Sequence, residues 1–296
     1  MKLNKHCSEC LYNREKKRAL EIENSDERKA YLQEVEEIVT HGDFQSQVEF
    51  LDAVFRLYDG KYGKTESYHE LKEKFNSFML QQEEAIMARI KSTQDPLRTA
   101  IQAAQAGNYI DCMALPEIDE AILGKLLANF EDNPLMEDIY DEFLEDLSRA
   151  KHLVYLTDNC GEIVMDKLLI RIIQERYPQV EIQVIVRGEE VLNDATMEDA
   201  RQVRLDTVAS VEGNGTALSG TCLHLIPEKI RKRIESADVI IAKGQGNYES
   251  LVGCRLNVYY TFLCKCQYLM GKFSCEHLHP IFYPESRIHN TDDELH

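Results

Sequence analysis

No stretch of the 296-residue sequence approaches the roughly 18–20 uninterrupted apolar residues that a membrane-spanning helix requires, so such a helix is excluded. Positive charge is scarce. Thirty-four Lys and Arg against 52 Asp and Glu leave a formal charge of -18, which opposes sequence-independent binding to nucleic acid or to an anionic membrane surface. A small molecule or another protein is the expected partner. Tryptophan is absent, which excludes no function. The opening residues MKLNKHCSEC lack the apolar segment of a secretory signal, so the expectation is a cytoplasmic protein. In that setting nine cysteines, an odd number, read as reduced thiols, with a metal site as a candidate for some of them, rather than as a disulfide framework.

What is present is a core-forming composition. A hydrophobic content of 44% over this length is compatible with one large domain or two ordinary ones, and it makes overall disorder an unsuitable reading. From about Glu15 to Leu147 the pattern is helical. In ESYHELKEKFNSFMLQQEEAIMARIKS, the residues Tyr68, Leu71, Phe75, Phe78, Met79 and Ile86 recur at spacings of three and four among charged and amide positions. Boundaries are expected at Thr40–Asp43, Asp59-Gly60, Gln94–Pro96, Ala106–Asn108 and Asp132–Pro134. Near Lys151 the texture changes: HLVYL, IQVIVR, ADVIIAKG and NVYYTFL alternate with helical segments, as beta-alpha-beta units around a mainly parallel sheet would. The expected organisation is an all-helical domain over 1–150 followed by a Rossmann-like α/β domain over 151–296, with ligands beyond the carboxyl ends of the strands.

Three strand ends carry chemistry. After HLVYL stands Thr157-Asp158-Asn159-Cys160-Gly161-Glu162, where Asp158 and Asn159 are compact hard-oxygen donors of the type that magnesium or manganese prefers. Either residue could instead cap a helix beginning near Gly161, with Asp166 on that helix as surface or support. After IQVIVR, Arg187 precedes Asn193-Asp194, a carboxamide and carboxylate in reverse order; Thr196 with Asp199 also has the spacing of a capping box. After ADVIIA, Lys243 precedes Gly244-Gln245-Gly246-Asn247 and a helix start, which suits a phosphate contact. Glu249 occupies the third glycine position of a dinucleotide fingerprint and no ribose-binding acid follows, so a nicotinamide cofactor is disfavoured. Together these ends suggest Asp158, Asn159 and Asp194 as ligands of a divalent cation. Lys243, Arg187, Gly244 and Asn247 would face a phosphate, and Glu162 would orient substrate or accept a proton. Asn214 and Thr216, in the loop-like stretch from Gly213 to Gly220, are either substrate contacts or ordinary turn residues.

LTDNCGEIVMD, RGEEVLNDATMEDA and ADVIIAKGQGNYESL, in that order, resemble the motifs of the DUF89 family, the metal-dependent damage-control phosphatases, and YYTFLCKCQYL resembles the family's following strand with Lys265-Cys266 at its end. The resemblance runs from about Leu153 to Leu269 and is only general in the helical half. It implies a helical region packed on a Rossmann-like domain, and hydrolysis of small phosphomonoesters such as sugar phosphates, phosphopantetheine derivatives or damaged metabolites. The family's metal ligands fall on Asp158, Asn159 and Asp194, its phosphate-binding lysine on Lys243 and its first-motif glutamate on Glu162; manganese, cobalt, nickel or magnesium is the implied ion. Cys7-Ser8-Glu9-Cys10 resembles the N-terminal pair of the family's stand-alone microbial branch. One such pair is half a zinc site. Cys264 and Cys266 are candidate partners, as are Cys275, His277 and His279, and free thiols are the alternative. Two other functions stay open: a carboxyl methyltransferase, an activity assigned to some family members, and a noncatalytic metabolite-binding module. The sequence is silent on oligomeric state.

Overall fold

The computed structural model describes residues 5–63, 67–111 and 118–288, and these fall into two compact units, Met1–Ser67 and Tyr68–His296. The first unit holds α1 (Lys5–Arg18), α2 (Ser25–His41) and α3 (Gln47–Tyr62). Its core joins Leu11, Tyr31, Val35, Phe50, Val54 and Tyr58. Tyr31 is wholly buried, donates to Glu15 Oε2 at 2.6 Å and lies edge-on to Tyr58 and Tyr62. Burial, then Glu15, pushes its hydroxyl pKa up. The break expected at Asp59-Gly60 falls inside α3, which runs on to a left-handed Gly63. No Cβ at Gly60 would meet a neighbour, so the helix passes through it at only a propensity cost.

The second unit begins with α4 (His69–Ser92), α5 (Pro96–Gly107), α6 (Glu120–Ala128) and α7 (Glu137–Arg149). There follow β1 (His152–Leu156), α8 (Glu162–Arg176), β2 (Glu181–Val186), α9 (Met197–Gln202), β3 (Ser210–Gly213), α10 (Glu228–Glu235), β4 (Val239–Lys243), α11 (Gly244–Leu251), β5 (Val258–Cys264), α12 (Gln267–Phe273) and β6 (His279–Pro284). The texture change near Lys151 therefore marks where helices give way to the sheet, while α4 to α7 share a compact unit with that sheet. Among the described residues no helix is long and apolar enough to cross a membrane.

The sheet order is β3-β2-β1-β4-β5-β6, with every pairing parallel except β5 with β6. Strands buried on both faces read as unbroken apolar runs, which is why HLVYL and VYYTFLC show no polar alternation. Leu153 and Tyr155 of β1 enter a core with α4 to α9; Val154 and Leu156 enter another with α10 to α12. Helices thus cover both faces, as expected for a Rossmann-like fold. The four apolar runs became β1, β2, β4 and β5, and the sheet adds β3 and β6. β6 is HPIFYP, whose two prolines lack ladder donors and argue against a central strand; it lies at the sheet edge, where proline is tolerated.

The chain leaves β1 toward β2 on one side and returns to β4 on the other. The carboxyl ends of β1 and β4 therefore flank the point where strand order reverses, and a crevice forms there in open α/β sheets. The core below is tightly keyed: Phe143 of α7 is wholly buried, with its ring 4.8 Å from Tyr259 and 5.2 Å from Phe282. Phe143→Ala is expected to lower unfolding stability by about 3–5 kcal/mol, seen as a lower denaturant midpoint at unchanged slope. A loss under about 1 kcal/mol would show that this contact between α7 and the sheet is not a principal source of stability.

Candidate metal and phosphate site

Asp158 and Asn159 leave β1 on a loop that ends at Gly161, a left-handed residue (φ +67°) against which Ile110 and Phe75 pack so closely that a Cβ would meet Ile110 Cδ1 at 2.8 Å. The helix-cap alternative for Asp158 and Asn159 is not realised, because α8 starts at Glu162 with Gly161 as its N-cap and no side-chain cap. The Asp158 carboxylate turns inward: Oδ2 accepts from Asn159 Nδ2 at 2.7 Å and from Asn108 Nδ2 at 3.1 Å, and Oδ1 faces Arg187 Nη2 at 3.5 Å. Glu162, wholly buried in the first turn of α8, accepts from Asn159 Nδ2 at 3.0 Å and from Asn108 Nδ2 at 2.9 and 3.0 Å.

The second strand end folds back onto the first. Asn159 and Asp194 form an isolated antiparallel bridge, Cys160 N donates to Asn193 O at 2.8 Å and Ala195 N donates to Asp158 O at 2.7 Å. The Asn-Asp pairs of successive strand ends are thus brought together by backbone hydrogen bonds. Thr196 and Asp199 do form the expected capping box of α9. Asp199 is further held by Lys72 at 2.7 Å and Asn76 at 2.9 Å. Asp194 accepts from Arg187 Nε at 2.6 Å and from Ser219 Oγ at 3.0 Å. Asn214 serves the turn, its Oδ1 accepting from Gly188 N and Thr216 N.

At the third strand end, Gly244 has φ +81°, and a Cβ there would meet Asp158 Oδ2 at 1.9 Å. Glycine is required because the α11 backbone passes against the carboxylate. The stretch expected as a phosphate loop is thus the first turn of α11 itself. Asn247 is buried, donates to Thr157 O at 3.0 Å and Lys243 O at 2.7 Å, and accepts from Thr221 at 2.8 Å and Arg187 at 3.2 Å. Lys243 lies beneath the site with no exposure; its ammonium pairs with Glu162 and Asp166 at 2.6 Å each and donates to Ala104 O at 2.9 Å. Asp166, read from sequence as helix surface or support, is wholly buried and acts as support. Burial pushes its carboxyl up to about 6, with Lys243 opposing the rise, and Tyr155 donates to it at 2.7 Å.

At the centre the buried acids Asp158, Asp194, Glu162 and Asp166 outnumber the buried cations Arg187 and Lys243. Burial, then the neighbouring Asp194 and Glu162, holds the Asp158 carboxyl well above the usual carboxylate range, and burial also raises that of Asp194 against the pull of Arg187. Two carboxylates and a carboxamide of hard-oxygen character, sharing one buried space at this cost, fit a divalent cation. Among the described residues no three or more of His, Cys, Asp and Glu are grouped to hold a metal; the set here is two Asp and one Asn. Of the cysteines named for a structural site, Cys7 and Cys10 lie on α1 of the first unit, and in the second unit Cys264 ends β5 and Cys266 precedes α12.

Sequence reasoning did not find Asn108, Ser219 or Thr221. Asn108 closes α5, where it read only as a helix boundary, yet its Oδ1 accepts from Leu263 N at 2.9 Å while its Nδ2 reaches Asp158 and Glu162. Lys265 secures the same turn, donating to Asn108 O and to Asp111 Oδ2.

The damage-control phosphatase ARMT1-like domain profile matches residues 3–278. MJ0202, an uncharacterized protein of Methanocaldococcus jannaschii, is 32% identical over 284 residues, 90% of each chain. A damage-control phosphatase of Archaeoglobus fulgidus is 32% identical over 209 residues, covering 69% of this chain and 71% of that protein. The crystal structure of the DUF89 family protein PH1575 from Pyrococcus horikoshii shares the fold, with a TM-score of 0.76 at 23% identity over 96% of this chain and 99% of that one. A profile match over nearly the whole sequence, with relatives of this identity and coverage, shows that the chain belongs to the damage-control phosphatase ARMT1-like, or DUF89, family.

Proposed function

We propose that the protein is a divalent-cation-dependent phosphatase acting on small phosphomonoester metabolites in the cytoplasm. Relatives named damage-control phosphatases support the phosphatase activity. The observation that carries the metal dependence is the convergence of Asp158, Asn159 and Asp194 at the reversal of strand order, with both carboxyls raised by burial. These three residues would hold the ion, and manganese, cobalt, nickel or magnesium suits the donor set. When bound, the ion supplies Lewis-acid polarisation of a phosphoryl oxygen and a more acidic water.

The chain's own residues supply geometry and charge. Asn159 Nδ2 donates to Asp158 and Glu162, which turns its carbonyl oxygen to serve as the lone-pair end. Glu162 is surrounded by donors from Lys243, Asn108 and Asn159, a setting that suits an anchor of the ligand loop more than a proton acceptor. The Lys243 ammonium balances Glu162 and Asp166 from below, and Arg187 is the guanidinium fork nearest the metal ligands, with a geometry that matches phosphoryl oxygens.

Hydrolysis of p-nitrophenyl phosphate should vanish after chelation and return on adding manganese, cobalt, nickel or magnesium, while Asp158→Ala and Asp194→Ala should each lose about 100-fold or more of turnover under every metal. No restoration by any of the four ions, with both variants binding metal like the parent, would overturn the assignment. Asn108→Ala should weaken manganese affinity by about 10- to 100-fold, the range for residues that orient metal ligands. Unchanged affinity in a direct titration would confine Asn108 to holding the fold.

A further inference from the structure

Arg187 is one of the largest wholly buried side chains of the protein, with 1% of its surface exposed, and its guanidinium has two sets of neighbours. On one side are the carboxylates, Asp194 Oδ2 at 2.6 Å from Nε and Asp158 Oδ1 at 3.5 Å from Nη2. On the other are neutral acceptors, Asn247 Oδ1 at 3.2 Å and Thr221 Oγ1 at 3.5 Å from Nη1. Asn247 is fixed in this sense, because its amide nitrogen donates to Thr157 O and Lys243 O.

The surrounding charges are already allotted. Lys243 pairs with Glu162 and Asp166, and Lys265 with Asp111. With both carboxyls ionised, as ligands of a cation must be, Asp158, Asp194 and Arg187 form a trio of net charge -1. A divalent cation on the two carboxylates would turn that trio to +1 with the guanidinium still buried beside it, and a buried cation without an anionic partner is costly. A phosphomonoester dianion would bring the sum back to -1 and give the guanidinium a bidentate partner.

Resting on the metal-dependent reading of this site, we infer that Arg187 is the internal counter-cation of the metal-free protein, competes with the divalent ion for Asp158 and Asp194, and passes to the substrate phosphate once the ion is seated. Metal loading then precedes phosphate binding. While the carboxylates are unfilled, Arg187 is engaged by them and the centre repels an anion. When they are filled, Arg187 is released as a phosphate donor held at its rear by Asn247 and Thr221. Arg187 is thus both a brake on metal affinity and a contributor to phosphate affinity.

Calorimetric titration of the chelator-treated full chain with manganese, then with orthophosphate, separates these effects. The parent should bind orthophosphate only after manganese. Arg187→Gln should bind manganese about tenfold more tightly, since the competing seated state is gone, and should bind orthophosphate at least about tenfold more weakly once loaded. Arg187→Lys, which keeps the charge and loses the fork, should shift both affinities in the same directions by less, and it carries the test if Arg187→Gln does not fold. A merely structural role would weaken both. Manganese affinity in the variants equal to or below that of the parent, or orthophosphate binding to the metal-free parent as tight as to the loaded one, overturns the inference alone. A parent that binds no manganese fails the metal-dependent reading and this inference with it.

Discussion

Two carboxylates, Asp158 and Asp194, are buried side by side, and the second compact unit is arranged around the need to keep them there. Like charges out of water repel, and each is deprived of hydration, so their approach requires cations and fixed donors nearby. Arg187 supplies the cation, Asn108 and Asn159 supply amide hydrogens, and Ser219 supplies a hydroxyl. The backbone bridge between Asn159 and Asp194 prevents the two strand ends from relaxing apart.

Such an arrangement is poor as a device for stability alone. A buried ion network seldom improves on well-packed apolar side chains, whereas removing one partner leaves an unbalanced charge in a low dielectric. The apolar layers on both sheet faces account for the fold, through residues such as Phe143, Tyr155 and Tyr260. The charged layer at the strand ends is kept in place by that rigidity, as a site built on strands and helix starts should be. Lys243 shows the division: it belongs to the sheet by position and to the site by charge, tying α8 to β4 through Glu162 and Asp166.

Much of this was legible beforehand. The apolar runs named four strands because central parallel strands bury both faces, and the turn of texture at Lys151 located the start of the sheet. The motif residues Asp158, Asn159, Asp194, Arg187, Glu162, Lys243, Gly244 and Asn247 do meet in one place, because strand ends in this topology converge on the reversal of order. β6 was hidden by its prolines and by pairing antiparallel at an edge. Asn108 was hidden because the contact that gives it meaning spans 50 residues or more in sequence, to Asp158 and Glu162, and a helix-ending Asn has no local mark of such a role.

The sequence by itself determined the kinds of chemistry available: hard-oxygen donors at the first two strand ends, cations at the second and third, glycines where backbone must pass close, and the succession of strands that brings them to one rim. Only the tertiary structure decided how the charges pair. Composition and spacing cannot say whether Lys243 faces a substrate or supports Glu162 and Asp166 from below, nor whether Arg187 lies outward or across Asp158 and Asp194. Pairing of buried charges is settled by depth and by which donors arrive from distant segments, and both are properties of packing rather than of sequence order.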